Sequence, residues 1–206
     1  ENSVIQPVQD TDAPQSSYLS VHSNTGDLYV DNARYNGGIL DLDARLGAIT
    51  ATNSEFIADS SFEVSTGIPS YVDSVPRQPG QGIDLTGATI TTAKLNELSA
   101  DGEVILKNAN IHMTLPNSGY DRKTHFGITS FGDNVDLSGA SMVFDGKPIA
   151  LTVSAGQNIK AVNTNLSVIG RIELQATEGI DMHTTEAEHG LWTASRFDVS
   201  ATDSIN

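Results

Sequence analysis

Apolar and polar residues alternate along most of this chain in short stretches, and the stretches recur. One eight-residue pattern returns seven times: apolar, any, apolar, any, Asn or Gly, small, any, apolar. It reads LYVDNARY from Leu28, ITATNSEF from Ile49, IDLTGATI from Ile83 and VILKNANI from Val104. It reads VDLSGASM from Val135, IKAVNTNL from Ile159 and, with the weakest ending, IDMHTTEA from Ile180. A period of two predicts a strand with one buried face. The fifth position holds Asn32, Asn53, Gly87, Asn108, Gly139, Asn163 and Thr184. Asn and Gly tolerate a left-handed backbone, so this position marks a bend. The sixth is Ala, Ser or Thr, which suits a crowded corner.

A second alternating stretch follows most copies half a period later, at 39–44 (ILDLDA), 62–64, 151–155 (LTVSA), 172–176 (IELQA) and 197–201 (FDVSA). After Ile83 the fit is poor, because Leu95 and Leu98 fall out of phase. The copies start 21, 34, 21, 31, 24 and 21 residues apart, which is a period of 21 with excesses of 13, 10 and 3. A period near 21 with short strands and Gly/Asn corners predicts an all-β fold, a right-handed parallel β-helix of about seven coils with two inserted loops. No coil buries its apolar face alone; stacking at about 4.8 Å makes the core continuous. A two-sheet sandwich is the alternative, but it has no reason to repeat one grammar seven times. Residues 1–20, polar and holding Pro7 and Pro14, read as an arm or cap, and 21–206 as the solenoid.

The net charge of −15 makes the chain a poor candidate for binding nucleic acid or anionic lipid, since both would be repelled. No apolar run approaches the roughly 20 residues of a membrane helix, so the chain is not read as membrane-spanning. The absence of cysteine removes disulfides, thiol chemistry and Cys-ligated metal sites.

The grammar resembles the haemagglutinin-type repeats of two-partner-secreted exoproteins, the filamentous haemagglutinins and contact-dependent growth inhibition proteins. The carrying residues are AGQNIKAVNTNLSVIGRIELQATEGIDM over 155–182, GQGIDLTGATI over 80–90 and GDNVDLSGASM over 132–142. The family usually runs to many more repeats without large insertions. The resemblance implies a β-helix that is extracellular or on a bacterial cell surface, exported through an outer-membrane partner. It implies a stalk, adhesin or receptor-binding segment, and it transfers no catalytic residue.

The two long insertions are the main departures from the period. The first lies within 66–81 (TGIPSYVDSVPRQPGQ) and the second within 114–127 (TLPNSGYDRKTHFG). Tyr71 and Arg77 in the first, and Tyr120, Arg122, Lys123 and Phe126 in the second, are the candidate binding residues. Tyr and Arg are enriched at binding hot spots, and loops on rigid scaffolds commonly carry function. The alternative is a pair of tolerated surface insertions.

Asp136, Lys160 and Asp181 share the outward second position and read as a solvated ladder. Asn32 and Asn53 read as stackable amides. The calcium nonapeptide and the EF-hand loop are missing, so no cofactor and no defined metal site are expected, and only weak calcium binding is left open. Asp41 and Asp43 share one strand face, and His183, Glu186, Glu188 and His189 form a local cluster. No HExxH, Ser-His-Asp signature, phosphate loop or dinucleotide fingerprint is found.

The sequence is therefore read as a non-catalytic binding module whose partner is a cell-surface protein or glycan receptor. A self-assembling filament subunit, with end-to-end or lateral self-association, and a phage tail-fibre segment are the rivals. A polysaccharide-active enzyme stands behind them, because an acidic solenoid can bring two carboxylates to the needed spacing.

Overall fold

The computed structural model describes residues 4–5, 17–67, 81–93, 95–114, 124–185 and 190–206. Among them there is no helix. A 12-stranded and an 8-stranded parallel sheet wind together as a β-solenoid. The eight strands of the smaller sheet, from Leu28–Tyr29 to Ser204–Ile205, lie in chain order. Seven of them hold the first two positions of the repeat copies and Ser204–Ile205 extends the ladder past the seventh, so every coil crosses this face once. The coil number is close to the seven expected.

The larger sheet supplies the other two faces. Four strands, Arg34–Ala44, Glu55–Thr66, Ser141–Ala155 and Asn165–Ala176, run from the second face through a bend into the third. The second alternating stretch of the sequence lies on that third face. Leu95 and Leu98 lose phase because the ladder slips there: Phe62 pairs with Leu95, but Val64 pairs with Leu98.

The corner between the first and second faces explains the Asn/Gly rule. Asn32, Asn53, Asn108 and Asn163 have φ of 54, 51, 56 and 54°, and Gly87 and Gly139 have 68 and 70°. All six occupy the left-handed region that Asn and Gly tolerate best. Thr184 does not; its branched side chain disfavours that region, and the seventh copy lacks the turn. The next position is buried in the first six copies. At Ala88, Ala109 and Ala140 the turn closes on itself, as when Ala88 N–H donates to Leu85 C=O at 3.0 Å, whereas Ala33 N–H donates to Ser54 Oγ of the next coil at 3.0 Å. Where it is Ser54 or Thr164, the hydroxyl donates to Val30 C=O or Leu137 C=O of the preceding coil, each at 2.7 Å.

Inward positions form columns along the solenoid. One begins at Val21 and passes through Leu42, Val64, Leu98, Ile128, Val153 and Leu174 to Val199. The interior members are fully buried. Each such side chain contributes about 1.5–3 kcal/mol relative to exposure, which is how stacking compensates coils that are unstable alone.

The expected domain boundary shifts. Tyr18–Ser23 already pairs with the third-face part of Arg34–Ala44, so the solenoid starts before residue 21. Val4–Ile5, within the expected arm, is a strand paired with Arg34 and Tyr35.

Candidate binding surfaces

The insertions leave the ladder at different corners. The first follows Glu55–Thr66, at the corner from the third face to the first. Its stem is closed by Thr66 Oγ1, which donates to Gln81 C=O at 3.2 Å, and both residues are buried. The second lies between Asn110–Thr114 and Thr124–Ser130, at the corner from the second face to the third. The three-residue excess uses that corner too, where the register shifts between Phe144 and Ile149. Near it, His112 Nε2 stands 3.0 Å from Asp145 Oδ2. Tyr71, Arg77, Tyr120, Arg122 and Lys123 lie outside the described residues.

Phe126 corrects the candidate list. It is 0% exposed, on the third face, and its ring lies 5.7 Å from that of Phe144. Its alternation with Ile128 puts both on the core side. It anchors the far stem of the second insertion and is unavailable to a partner.

The outward acidic positions have structural work. Asp84 Oδ1 accepts the Thr86 N–H at 2.9 Å, and Asp136 Oδ1 accepts that of Ser138 at 2.8 Å. Each therefore braces the turn that follows it. Asp136, Lys160 and Asp181 do stack in register. A hydrogen bond with His183 and the charge of Lys160 hold the Asp181 carboxyl below the usual range. Glu103 is the exception on this face. Burial, then the charges of Asp133, Asp136 and Asp84, push its carboxyl above the ordinary value. With Asp84 and Asp133 it lines an open cleft of about 250 Å³. Among the described residues no three His, Asp or Glu side chains are grouped to hold a metal ion. Glu186, Glu188 and His189 lie outside those residues.

A groove of about 490 Å³ runs along the Asn/Gly corner and is lined by Asn32, Arg34, Asn53, Glu55, Gly87 and Thr89, among others. Arg34 Nε and Glu55 Oε2 pair at 3.1 Å across it. Amide, guanidinium, carboxylate and hydroxyl groups in one groove suit a ligand rich in hydrogen-bonding groups. Sequence reasoning read these asparagines as structural only, and the alternation of Asn with Gly was the available signal.

Parallel register also sets Ser20 and His22 beside Asp41 and Asp43. His22 Nε2 contacts Ser20 Oγ, and Nδ1 stands 3.3 Å from Asp43 Oδ2. The order is that of a hydrolytic triad, which no motif announced. Yet Ser20 Oγ donates to Asp41 Oδ2 at 3.1 Å, His22 is half exposed, and the clefts described are lined by other residues. These side chains form an outward polar ladder.

No protein-family model, no curated protein and no solved structure matches the chain.

Proposed function

We propose that the chain is a non-catalytic binding module, a rigid β-solenoid holding receptor-binding loops as an adhesin stalk or receptor-binding segment at a bacterial surface. The supporting observation is the continuity of the ladder around the insertions. Ile83, directly after the first, pairs with Ile49 before it and Val104 beyond it. Thr124–Ser130, directly after the second, pairs on both sides. Strand pairing thus continues on both sides of each loop, as a loop-presenting frame requires. The partner class is a cell-surface protein or glycan. Tyr71, Arg77, Tyr120, Arg122 and Lys123 are the contact residues, and the Asn/Gly corner groove offers a second polar surface.

The test is retention of the fluorescently labelled chain on fixed epithelial cells. Charge reversal of Arg122 and Lys123 together should weaken retention about tenfold or more with an unchanged β-sheet circular dichroism spectrum. Undiminished retention would remove these residues from the contact.

A further inference from the structure

Asn32 and Asn53 hold their left-handed corners without using their side chains. Their N–H groups donate to Thr52 C=O and Thr86 C=O, each at 2.9 Å. Asp31 Oδ1 braces the first corner instead, accepting the Thr52 N–H and the Thr52 hydroxyl, each at 2.7 Å. Both asparagines are exposed, and among the described residues neither amide has a hydrogen-bond partner. Asn163, at the same repeat position, differs. Its Nδ2 donates to Thr185 Oγ1 at 3.1 Å, and its Oδ1 accepts the Thr185 N–H at 2.8 Å. The turn itself therefore does not settle where the amide goes.

The open amides line the groove of about 490 Å³ together with a second row. Arg34, Glu55 and Thr89 stand in register on successive coils, each two residues beyond Asn32, Asn53 or Gly87. Each coil thus brings one corner position and one outward strand position to the groove, on rungs about 4.8 Å apart. On the third coil Gly87 has no side chain, and the Asn53 amide leans into that space. Arg34 Nε and Glu55 Oε2 pair at 3.1 Å, but the side chains are 73 and 45% exposed, so further N–H donors and Oε1 remain available. These two are the charged residues of the lining, and their charges cancel. A chain of −15 therefore carries a groove with no net charge.

These features select a ligand. Cancelled charge favours neither an anion nor a cation. Amides, guanidinium N–H groups, a carboxylate oxygen and a hydroxyl offer donors and acceptors side by side, which suits vicinal sugar hydroxyls that donate and accept at once. The lining has no aromatic side chain to favour a flat apolar ligand. The volume falls within the range of roughly 300–1,000 Å³ of small-ligand sites. We propose that this groove binds a short neutral saccharide, held by the Asn32 and Asn53 amides and the Arg34–Glu55 pair. Without a stacking ring the affinity is low, with a Kd of about 1–10 mM. The inference rests on the binding-module reading, whose groove it gives an occupant, and does not involve the insertions.

Titration of the isotope-labelled whole chain with cellobiose, lactose and diacetylchitobiose, followed by backbone amide chemical shifts, tests it. At least one sugar should move the signals of 32–34, 53–55 and 87–89 together and saturably. Its Kd should change less than about twofold between about 20 and about 300 mM salt. Asn32→Gly combined with Asn53→Gly removes both amides and keeps residues that tolerate the turn. This variant should bind about tenfold or more weakly, while Asn163→Gly should bind as wild type does. If the double variant fails to fold, Arg34→Ala, at an exposed side chain, should show the same weakening. The proposal is overturned by the absence of a saturable shift with all three sugars at about 50 mM, by shifts centred elsewhere, or by unchanged binding once the groove amides are gone. Sugar binding and cell retention are read separately. Retention that depends on the loops in a chain that binds no sugar removes the groove's occupant alone; sugar binding in a chain whose retention ignores the loops removes the loop role alone.

Discussion

Asn53 Oδ1 stands 2.6 Å from the point where a Cβ on Gly87, one coil further on, would lie. Gly87 also has φ of +68°. Two independent constraints therefore ask for glycine at one position of a repeat that elsewhere accepts asparagine. Gly87→Ala should cost at least the 1–2 kcal/mol, approximately, of left-handed strain, with the clash added. Asn32→Gly, at the same repeat position, should change stability by less than about 0.5 kcal/mol. Urea denaturation of both variants checks the contrast.

Phe126 behaves as core in this account. Phe126→Ala should lower stability by about 3–5 kcal/mol, and Phe126→Leu by less. Neither should alter cell retention per folded molecule. A Phe126→Ala variant of native stability that loses retention would return this residue to the binding surface.

Glu103 predicts a pH dependence. Burial and three neighbouring aspartates raise its folded pKa, so the folded state holds this proton more tightly than the unfolded chain does. This group's contribution thus falls as pH climbs from the ordinary glutamate range through the raised value, and the cost is complete above it. Glu103→Gln should therefore be the more stable protein at neutral pH and lose that advantage in acid. The group is partly solvated, so the gain should stay below about 1 kcal/mol. Thermal melts across pH, wild type against variant, measure it; an advantage that grows toward acid would contradict the assignment.

Much of the fold is legible in the chain because one position per coil demands a backbone that few residues tolerate. Asn32, Asn53, Gly87, Asn108, Gly139 and Asn163 mark six corners, and the apolar alternation beside them marks the strands. What a period cannot convey is which corner takes an insertion, since excess residues lengthen the interval equally at any of the three. The two long insertions therefore stand at different corners. Phe126 was misread for a related reason. It follows a polar loop in sequence, yet its phase with Ile128 already belonged to the strand. The Ser20, His22 and Asp43 grouping was invisible, because it arises across coils from register and not from local spacing.

The central claim is that the solenoid is a scaffold and the insertions carry recognition. The most direct measurement replaces residues 68–80 and 115–123 with short glycine-asparagine turns and compares retention on fixed epithelial cells with that of the intact chain. The account predicts an unchanged β-sheet spectrum and a loss of about tenfold or more in retention. Retention that survives the removal of both loops would contradict it and move recognition onto the coils themselves.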